Sequence, residues 1–416
     1  MSREVPEGWA SIRVGDIAEI RTGGTPSRTE GKYWGGDIPW MASGEIHQRY
    51  VSETEEKITE LALKESNARI LPAGSIMIAL NGQGKTRGKA AILRKPMACN
   101  QSLAAIIPNA SHLPEFFLFL FESMYSQLRN LTGDDARNGL NLAILKAVEV
   151  TLPPLHEQRR IAEILSSVDE AIAATRAVIE QTRKVKQGVL ERLLTRGIGH
   201  TRFKQTEIAE IPEGWELAPI EAYLARLIDY RGVPPPKSDS GVPLITAKNV
   251  RFGYLNPEPR EYISEVEFDD WMRRGLPQAG DVLFTTEAPL GNVAQIPDYK
   301  IALGQRTITL CPDRTRLTPA FLKWLLLSPG SQARIAEKAT GSTALGIKQS
   351  TFRKLKFPFP PLDEQKTIAD HIEGIAAAEG AETLKLESLN ALKVALMSDL
   401  LTGRKRVTDA LPLAAE

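Results

Sequence analysis

The sequence predicts an α+β protein built twice over: two repeated globular domains separated by two long helices that form an antiparallel coiled coil, with pseudo-twofold internal symmetry. Three observations carry this expectation. Distinctive motifs recur at an offset of 206 or 207 residues, two stretches hold an apolar heptad spacing, and the remainder reads as short strands punctuated by Gly and Pro.

The repeat is plain once the chain is compared with itself. Pro6-Glu7-Gly8-Trp9 returns as Pro212-Glu213-Gly214-Trp215, and Leu152-Pro153-Pro154-Leu155-His156-Glu157-Gln158 returns as Phe359-Pro360-Pro361-Leu362-Asp363-Glu364-Gln365. Leu193-Leu194-Thr195 returns as Leu400-Leu401-Thr402. Weaker matches between them hold nearly the same phase, among them Ile38-Pro39-Trp40 with Val242-Pro243-Leu244 and Asn100-Gln101 with Gly304-Gln305. A solenoid or propeller would repeat every ~20 to 50 residues, so this period means a duplicated module of domain size.

Within each copy the first three-quarters predicts an α+β domain. Apolar runs such as Ser75–Leu80 and Asp281–Thr286 read as strands, and helical patterns cover Pro114–Arg129 and Pro319–Lys338. The boundaries that follow are 1–152 and 201–358 for the globular domains, 153–200 and 359–405 for the helices, and 406–416 for a tail.

The helices follow from the spacing. Ile161, Leu165, Val168, Ile172, Ile179, Val189 and Leu193 fall on one seam, with Thr175, Thr182 and Lys186 filling its remaining positions. The second copy repeats it through Ile368, Ile372, Ile375, Leu386, Leu389, Leu396 and Leu400, but loses it at Glu379 and Glu382. Prolines before each run and Gly197 or Gly403 after it are helix boundaries. A helix from Glu157 to Leu194 would span roughly 55 Å. Lys186 and Lys393 occupy matching seam positions, so each should reach the edge or pair with an acid such as Glu379 or Glu382.

Composition bounds the function. The chain has 416 residues, 42% hydrophobic and 25% charged, as in soluble globular proteins of two or three domains. A net charge of +1 gives no global attraction to polyanions, so local patches must hold any such partner. Two distant cysteines and five scattered histidines exclude a disulfide framework and a zinc site. No apolar run reaches the ~18 to 20 residues of a membrane span, and Met1–Trp9 does not resemble a signal peptide. A cytoplasmic location is expected.

Three lookalikes of catalytic motifs fail on chemistry. Ala79-Leu80-Asn81-Gly82-Gln83-Gly84-Lys85-Thr86 approaches a phosphate-binding P-loop, yet Ala79 stands where Gly is needed, and Arg87–Leu93 reads as turn and strand rather than helix. The Pro-Pro motifs resemble that of amino-group DNA methyltransferases, but Leu152 and Phe359 have no side-chain oxygen to accept hydrogen bonds from the target amino group. Acids such as Glu55 and Glu56 sit in a solvated context unlike a nuclease centre. The chain is therefore expected to carry no active site, against the alternatives of a degenerate methyltransferase or nuclease and of a coiled-coil protein whose domains bind other proteins. Two stretches are basic without an acid: Lys85, Arg87, Lys89, Arg94 and Lys95, then Lys348, Arg353, Lys354 and Lys356. Two basic loops in two repeated domains fit one extended polyanion.

The opening Pro-Glu-Gly-Trp, the Leu-Pro-Pro-Leu-x-Glu-Gln-x-x-Ile-Ala heading a long helix, the Leu-Leu-Thr exit and the Phe203-Lys204-x-Thr206-Glu207-Ile208 lead into the second copy resemble the specificity (S) subunit of type I DNA restriction-modification systems. The resemblance covers essentially the whole chain. It implies a non-catalytic, sequence-specific DNA-binding subunit with two target recognition domains, each reading half of a bipartite asymmetric site. The helices would fix the spacer and dock two methyltransferase (modification) subunits, which methylate adenine N6. Two restriction (endonuclease/translocase) subunits complete the enzyme. No cofactor is expected on this chain: S-adenosylmethionine belongs to the methyltransferase partner, and ATP and Mg to the restriction partner. Double-stranded DNA is the expected ligand, with no membrane partner.

The resemblance also marks DNA-facing segments. In the first domain they supply Thr22, Gly23, Thr25, Ser43, Gln83, Lys85, Arg87, Lys89, Arg137 and Asn138. In the second they supply Arg231, Lys248, Asn249, Thr286, Asn292, Gln305, Arg306 and Lys348. Arg, Lys, Asn and Gln make bidentate pairs with base edges, and remaining cations neutralise phosphates. The second domain departs from the first at Asp229-Tyr230-Arg231-Gly232-Val233-Pro234, where the first has Arg21-Thr22-Gly23-Gly24-Thr25-Pro26. Different half-sites would require such a difference.

Overall fold

The computed structural model describes residues 5–82, 85–131, 139–230, 234–341 and 345–407. The chain divides into two compact units, Met1–Arg176 with Lys385–Glu416, and Ala177–Leu384. Each unit is a globular domain together with the start of one long helix and the end of the other.

In the first unit the strands are β1 (Ala10–Arg13), β2 (Ala18–Thr22), β3 (Trp34–Met41), β4 (Tyr50–Val51), β5 (Glu56–Ile58), β6 (Ile76–Ala79), β7 (Ala90–Leu93), β8 (Ala98–Cys99), β9 (Leu103–Pro108) and β10 (Glu149–Leu152). They form a five-stranded sheet in the order β2-β9-β6-β7-β4, a three-stranded sheet β5-β3-β8, and the pair β1-β10. The four residues of β6 are buried on both faces, which is why that run is continuously apolar. One face packs on the helix Pro114–Ser123, whose Phe116, Phe117, Phe119 and Phe121 are all fully buried.

The second unit repeats the plan with β11 (Phe203–Gln205), β12 (Glu210–Pro212), β13 (Glu216–Pro219), β14 (Leu224–Asp229), β15 (Val242–Ile245), β16 (Tyr262–Ile263), β17 (Val282–Thr285), β18 (Val293–Gln295), β19 (Ala302–Leu303), β20 (Thr307–Pro312) and β21 (Lys356–Phe359). Its main sheet runs β14-β20-β17-β18. The correspondence extends to register. Trp40 and Met41 pair in parallel with Ala98 and Cys99, and Leu244 and Ile245 pair in parallel with Ala302 and Leu303, each 204 residues later.

Two expected helices are each broken. Pro114–Arg129 divides at Met124 into Pro114–Ser123 and Tyr125–Asn130. Pro319–Lys338 divides into Pro319–Leu327 and Pro329–Glu337, because Pro329 bars Ser328 from continuing the helix and the Ser328 hydroxyl instead accepts from Ser331 N at 3.2 Å. The P-loop lookalike has no helix after it: residues 85–88 form a turn, and β7 follows.

The first long helix runs Leu155–Arg196 and the second Leu362–Leu400, ending before Gly197 at φ +64° and Gly403 at φ +68°. Within each unit they run antiparallel. In the first, Lys393 lies 2.7 Å from Asp169, and farther back along the first helix Glu157 meets Arg406, farther on in sequence. In the second, Lys186 and Arg183 pair with Glu379, while Glu364 accepts from Ile198 N at 2.9 Å. Of the two seam lysines, Lys186 thus pairs with Glu379, and Lys393 turns to Asp169 and Glu122.

The seam itself shifts along the helix. Ile161, Leu165, Val168, Ile172 and Ile179 are buried, as are Ile368, Ile372 and Leu400. Near the end of the first helix Leu190 and Leu194 are buried while Val189 and Leu193 are half-buried, because the apolar stripe there turns onto the domain core. Ile375, Leu386, Leu389 and Leu396 are half-buried. Among the described residues no helix is long and apolar enough to cross a membrane.

Candidate nucleic-acid interface

Sheet register brings separate loops to one end of each unit. In the first unit Thr22 ends β2 opposite Ala104, and Ala79 ends β6 opposite Leu103, where β9 starts; β7 begins opposite Ile78. The loops that follow β2 and β6 and precede β7 and β9 therefore share an edge. Asn100 N donates to Met41 O at 3.0 Å, and Leu140 N donates to Leu80 O at 2.9 Å, which adds the loop after β3 and the segment after the first-unit helices. In the second unit Asp229 ends β14 opposite Ile308, Thr285 ends β17 opposite Thr307, and Val293 opens β18 opposite Phe284. The same kind of edge results.

The first-unit edge is basic. A cleft of about 410 Å³ is lined by Ile46, His47, Arg49, Lys85, Lys89, Ala90, Glu122 and Tyr125. Lys89 Nζ lies 2.8 Å from His47 Nδ1, Lys85 is exposed, and Tyr125 donates from its hydroxyl to Lys85 O at 3.0 Å. Arg49 holds a left-handed backbone at φ +64°, and its guanidinium binds the Glu122 carboxylate and lies 2.6 Å from Asp169. Burial works against that charge, but the hydrogen bonds and charge of Glu122 hold the Arg49 pKa above its ordinary value. Arg87 is half-buried, with its Nε enclosed and lacking a hydrogen-bond partner among the described residues. Arg94 and Lys95 turn aside to Glu115 at 2.9 Å and Glu53 at 2.5 Å.

The other expected residues divide by exposure. Thr22 and Thr25 are exposed, with Thr22 Oγ1 donating to Leu103 O at 3.2 Å and the Thr25 hydroxyl donating to Gln101 Oε1. Ser43 is half-buried at the head of a short 3-10 turn. Gly23 is buried, and a Cβ there would stand 2.0 Å from the Cys99 carbonyl oxygen, so this glycine lets two backbones meet. Gln83, Arg137, Asn138 and Arg231 lie outside the described residues.

In the second unit two expected base readers are structural instead. Asn249 is 1% exposed; its Oδ1 accepts from Thr246 N and Oγ1 at 3.0 Å each, and its Nδ2 donates to Asn256 O and Pro259 O at 3.2 and 3.0 Å. All its hydrogen-bonding capacity is spent on shaping the loop. Thr286 is 2% exposed and donates its hydroxyl to Arg306 O at 3.3 Å. Asn292 is half-buried, with Nδ2 donating to Val250 O at 2.9 Å. Lys248, Arg306 and Lys348 are exposed, and Gln305 is half-exposed. Arg306 has φ +66°, and its Nε lies 3.5 Å from Glu287 Oε1. Ile347 N donates to Thr286 O at 2.9 Å, which draws the Lys348 segment to this edge. Arg353 and Lys356 pair elsewhere, with Glu221 and Glu207.

Sequence reasoning passed over His47, Arg49 and the turn Arg251–Tyr254. Their correspondence shows in the backbone rather than in the sequence: a shift of 204 residues carries Arg49 onto Gly253, and both have positive φ. Glu45 and Asn249 likewise correspond, with Glu45 Oε2 accepting from Ala42 N at 2.7 Å. Burial pushes the Cys99 and Cys311 thiols up to about 12, so both are inert. Among the described residues no cluster of side chains has the makings of a metal site.

Comparison with known proteins agrees with this architecture. Residues 6–182 and 273–390 match the family described as the type I restriction modification DNA specificity domain. The MjaVIII type I restriction enzyme specificity subunit of Methanocaldococcus jannaschii is 27% identical over 419 residues, covering 97% of this chain and 94% of that protein. The EcoKI specificity subunit of Escherichia coli is 22% identical over 404 residues, covering 94% and 86%. Among solved structures, the S subunit of a type I restriction-modification system from M. genitalium superposes with a TM-score of 0.60 at 12% identity, over 96% of this chain and 97% of that one. A chain from a type I system studied for complex assembly and conformational transition gives 0.59 at 18% identity, over 97% and 100%. Repeat, register, paired loop edges and family match lead to one conclusion: this chain belongs to the DNA specificity subunits of type I restriction-modification systems.

Proposed function

We propose that the chain reads a bipartite, asymmetric DNA site, one half with each unit, and directs partner subunits that methylate adenine N6 or translocate and cleave. The observation that carries this reading is the pair of loop edges. They occupy corresponding places in two copies of one fold, yet present different side chains. His47, Lys85 and Lys89 stand on the first; Lys248, Arg251, Phe252 and Arg306 stand on the second. Cations at such an edge neutralise phosphates and set register, while the groups between them meet base edges. Unlike side chains at like positions read unlike half-sites.

The chain is non-catalytic, so the chemistry comes from its partners. Two methyltransferase subunits carrying S-adenosylmethionine and two restriction subunits using ATP and Mg are the proposed complement, acting in the cytoplasm. The long helices support docking, since Val178 and Val185 on the first, and Leu384, Leu392 and Val394 on the second, leave apolar side chains in water. Because the first helix is continuous through 42 residues and belongs to both units, its length would set the unread spacer.

Genome-wide methylation mapping with the gene intact and deleted tests the reading. A bipartite motif with adenine methylated in both halves should vanish on deletion; a methylome that does not change would remove it. Exchange of residues 1–152 for another family member's first domain should alter one half only.

A further inference from the structure

Two aromatic side chains project from the second unit's loop edge. Phe252 is 56% exposed and Tyr254 61% exposed, on either side of Gly253 at φ +101°. The turn that carries them is held firmly. Arg251 N donates to Tyr254 O at 2.9 Å, Gly253 N donates to Val293 O at 2.8 Å, and Asn292 Nδ2 donates to Val250 O at 2.9 Å. Val250 and Leu255 close it with a β-bridge. A fixed turn that keeps two large apolar faces in water has forgone their burial, which a surface meant only for solvent would not do.

Its surroundings indicate the occupant. Lys248 and Arg251 precede the aromatics in the same loop, and the sequence has no acid between Asp239 and Glu258. The turn is tied to the loop after β17, and its counterpart 204 residues earlier, His47-Gln48-Arg49-Tyr50, borders the first unit's basic cleft through His47 and Arg49. Cations and no acid in the same loop as exposed aromatic rings suit a polyanion with stacked, flat bases better than they suit a protein surface.

We propose that Phe252 and Tyr254 form an aromatic wedge that presses into a base step of the half-site read by the second unit, an inference that rests on the DNA-recognition role above. Apolar side chains inserted at a step unstack it, and the cost depends on how readily that step deforms. The second half-site is then selected partly by flexibility, with a pyrimidine–purine step beneath the wedge. At the matching turn the first unit has Gln48 in place of Phe252, and Tyr50 in place of Tyr254 is half-buried against the core beneath Arg49 and Arg94, so no exposed aromatic pair stands there.

The test uses the chain assembled with its methyltransferase subunits and duplexes of the mapped site with 2-aminopurine placed in turn through each half. Binding should raise fluorescence at one step of the half that is retained when residues 1–152 are exchanged. F252A/Y254A should abolish that rise and weaken binding about tenfold per aromatic. The salt dependence should keep its slope, because neither side chain neutralises a phosphate. Val266→Ala, at a side chain 91% exposed elsewhere in the unit, should change nothing. Unchanged affinity and fluorescence in the double variant would overturn the wedge. So would loss of the methyltransferase subunits with duplex binding intact, which would make the turn a protein-docking surface. A wild-type complex that binds no duplex would instead remove the DNA-recognition role, and the wedge with it.

Discussion

Trp9 donates its indole Nε1 to Glu157 Oε2 at 3.0 Å across 148 residues of sequence, and Trp215 makes the same 3.0 Å bond to Glu364 in the second unit. The two halves of the repeated motif, Pro-Glu-Gly-Trp and Pro-Pro-Leu-x-Glu-Gln, thus close on each other at the head of each long helix. What completes the carboxylate differs. Arg406 binds Glu157 through Nε and Nη2 at 2.9 Å each, whereas His200 Nε2 lies 2.9 Å from Glu364.

Removing the first of these carboxylates should be costly. Glu157→Ala leaves the Trp9 indole, Nε and Nη2 of Arg406 and Val407 N without their acceptor, for a loss of about 2–4 kcal/mol. Urea unfolding of the full chain followed by tryptophan emission measures it; a variant as stable as the parent would mean that solvent replaces the carboxylate.

Acid should weaken both units. Burial alone would raise Glu157 and Glu379, but hydrogen bonds from Arg406 and Trp9 to the first, and from Lys186 and Arg183 to the second, hold both below the usual carboxylate range. A depressed carboxylate contributes stability above its unfolded-state value of ~4.3 and loses it as pH falls through the folded value. Stability measured between pH 7 and 3 should fall below about 4.5, and E157Q should flatten part of that fall.

Helix burial sets a contrast between neighbours. Leu190 is buried in the second unit's core and Val189 only half-buried, so Leu190→Ala should cost about 2–4 kcal/mol and Val189→Ala less than half of that. Equal losses would place the seam where heptad spacing alone puts it.

At the loop edges, K85A/K89A should weaken duplex binding and lower the salt slope by about one for each phosphate left without its cation, with the methylated sequence unchanged. Asn249→Ala should instead destabilise the second unit, since the four hydrogen bonds of its side chain are all internal. Methylation mapping that showed a changed base preference in Asn249→Ala, with stability intact, would return that residue to the reading surface.

A four-residue insertion in the middle of the first long helix adds about 6 Å of rise. The accepted spacer should lengthen while both half-sites stay the same, as methylation mapping would show. An unchanged spacer would mean that something other than this helix sets it.

The repeat and the two long helices were legible in the sequence because each rests on local chemistry: proline before the helices, glycine after them, and apolar spacing that only a helical seam can use. Family membership was legible too, since its motifs lie in short contiguous runs. The choice among polar loop residues was decided by tertiary structure. Asn249 and Thr286 look like base readers in sequence, and whether such a group faces solvent or closes a loop depends on which backbone groups the folded loop brings to it, here Thr246, Asn256 and Pro259 for the first and Arg306 for the second. The same holds for the turn at Phe252 and Tyr254, whose exposure follows from the bonds of its backbone to Val293 O and to the Asn292 side chain rather than from the aromatic residues themselves. Periodicity records which face of an element is apolar, and only the assembled fold records what that face meets.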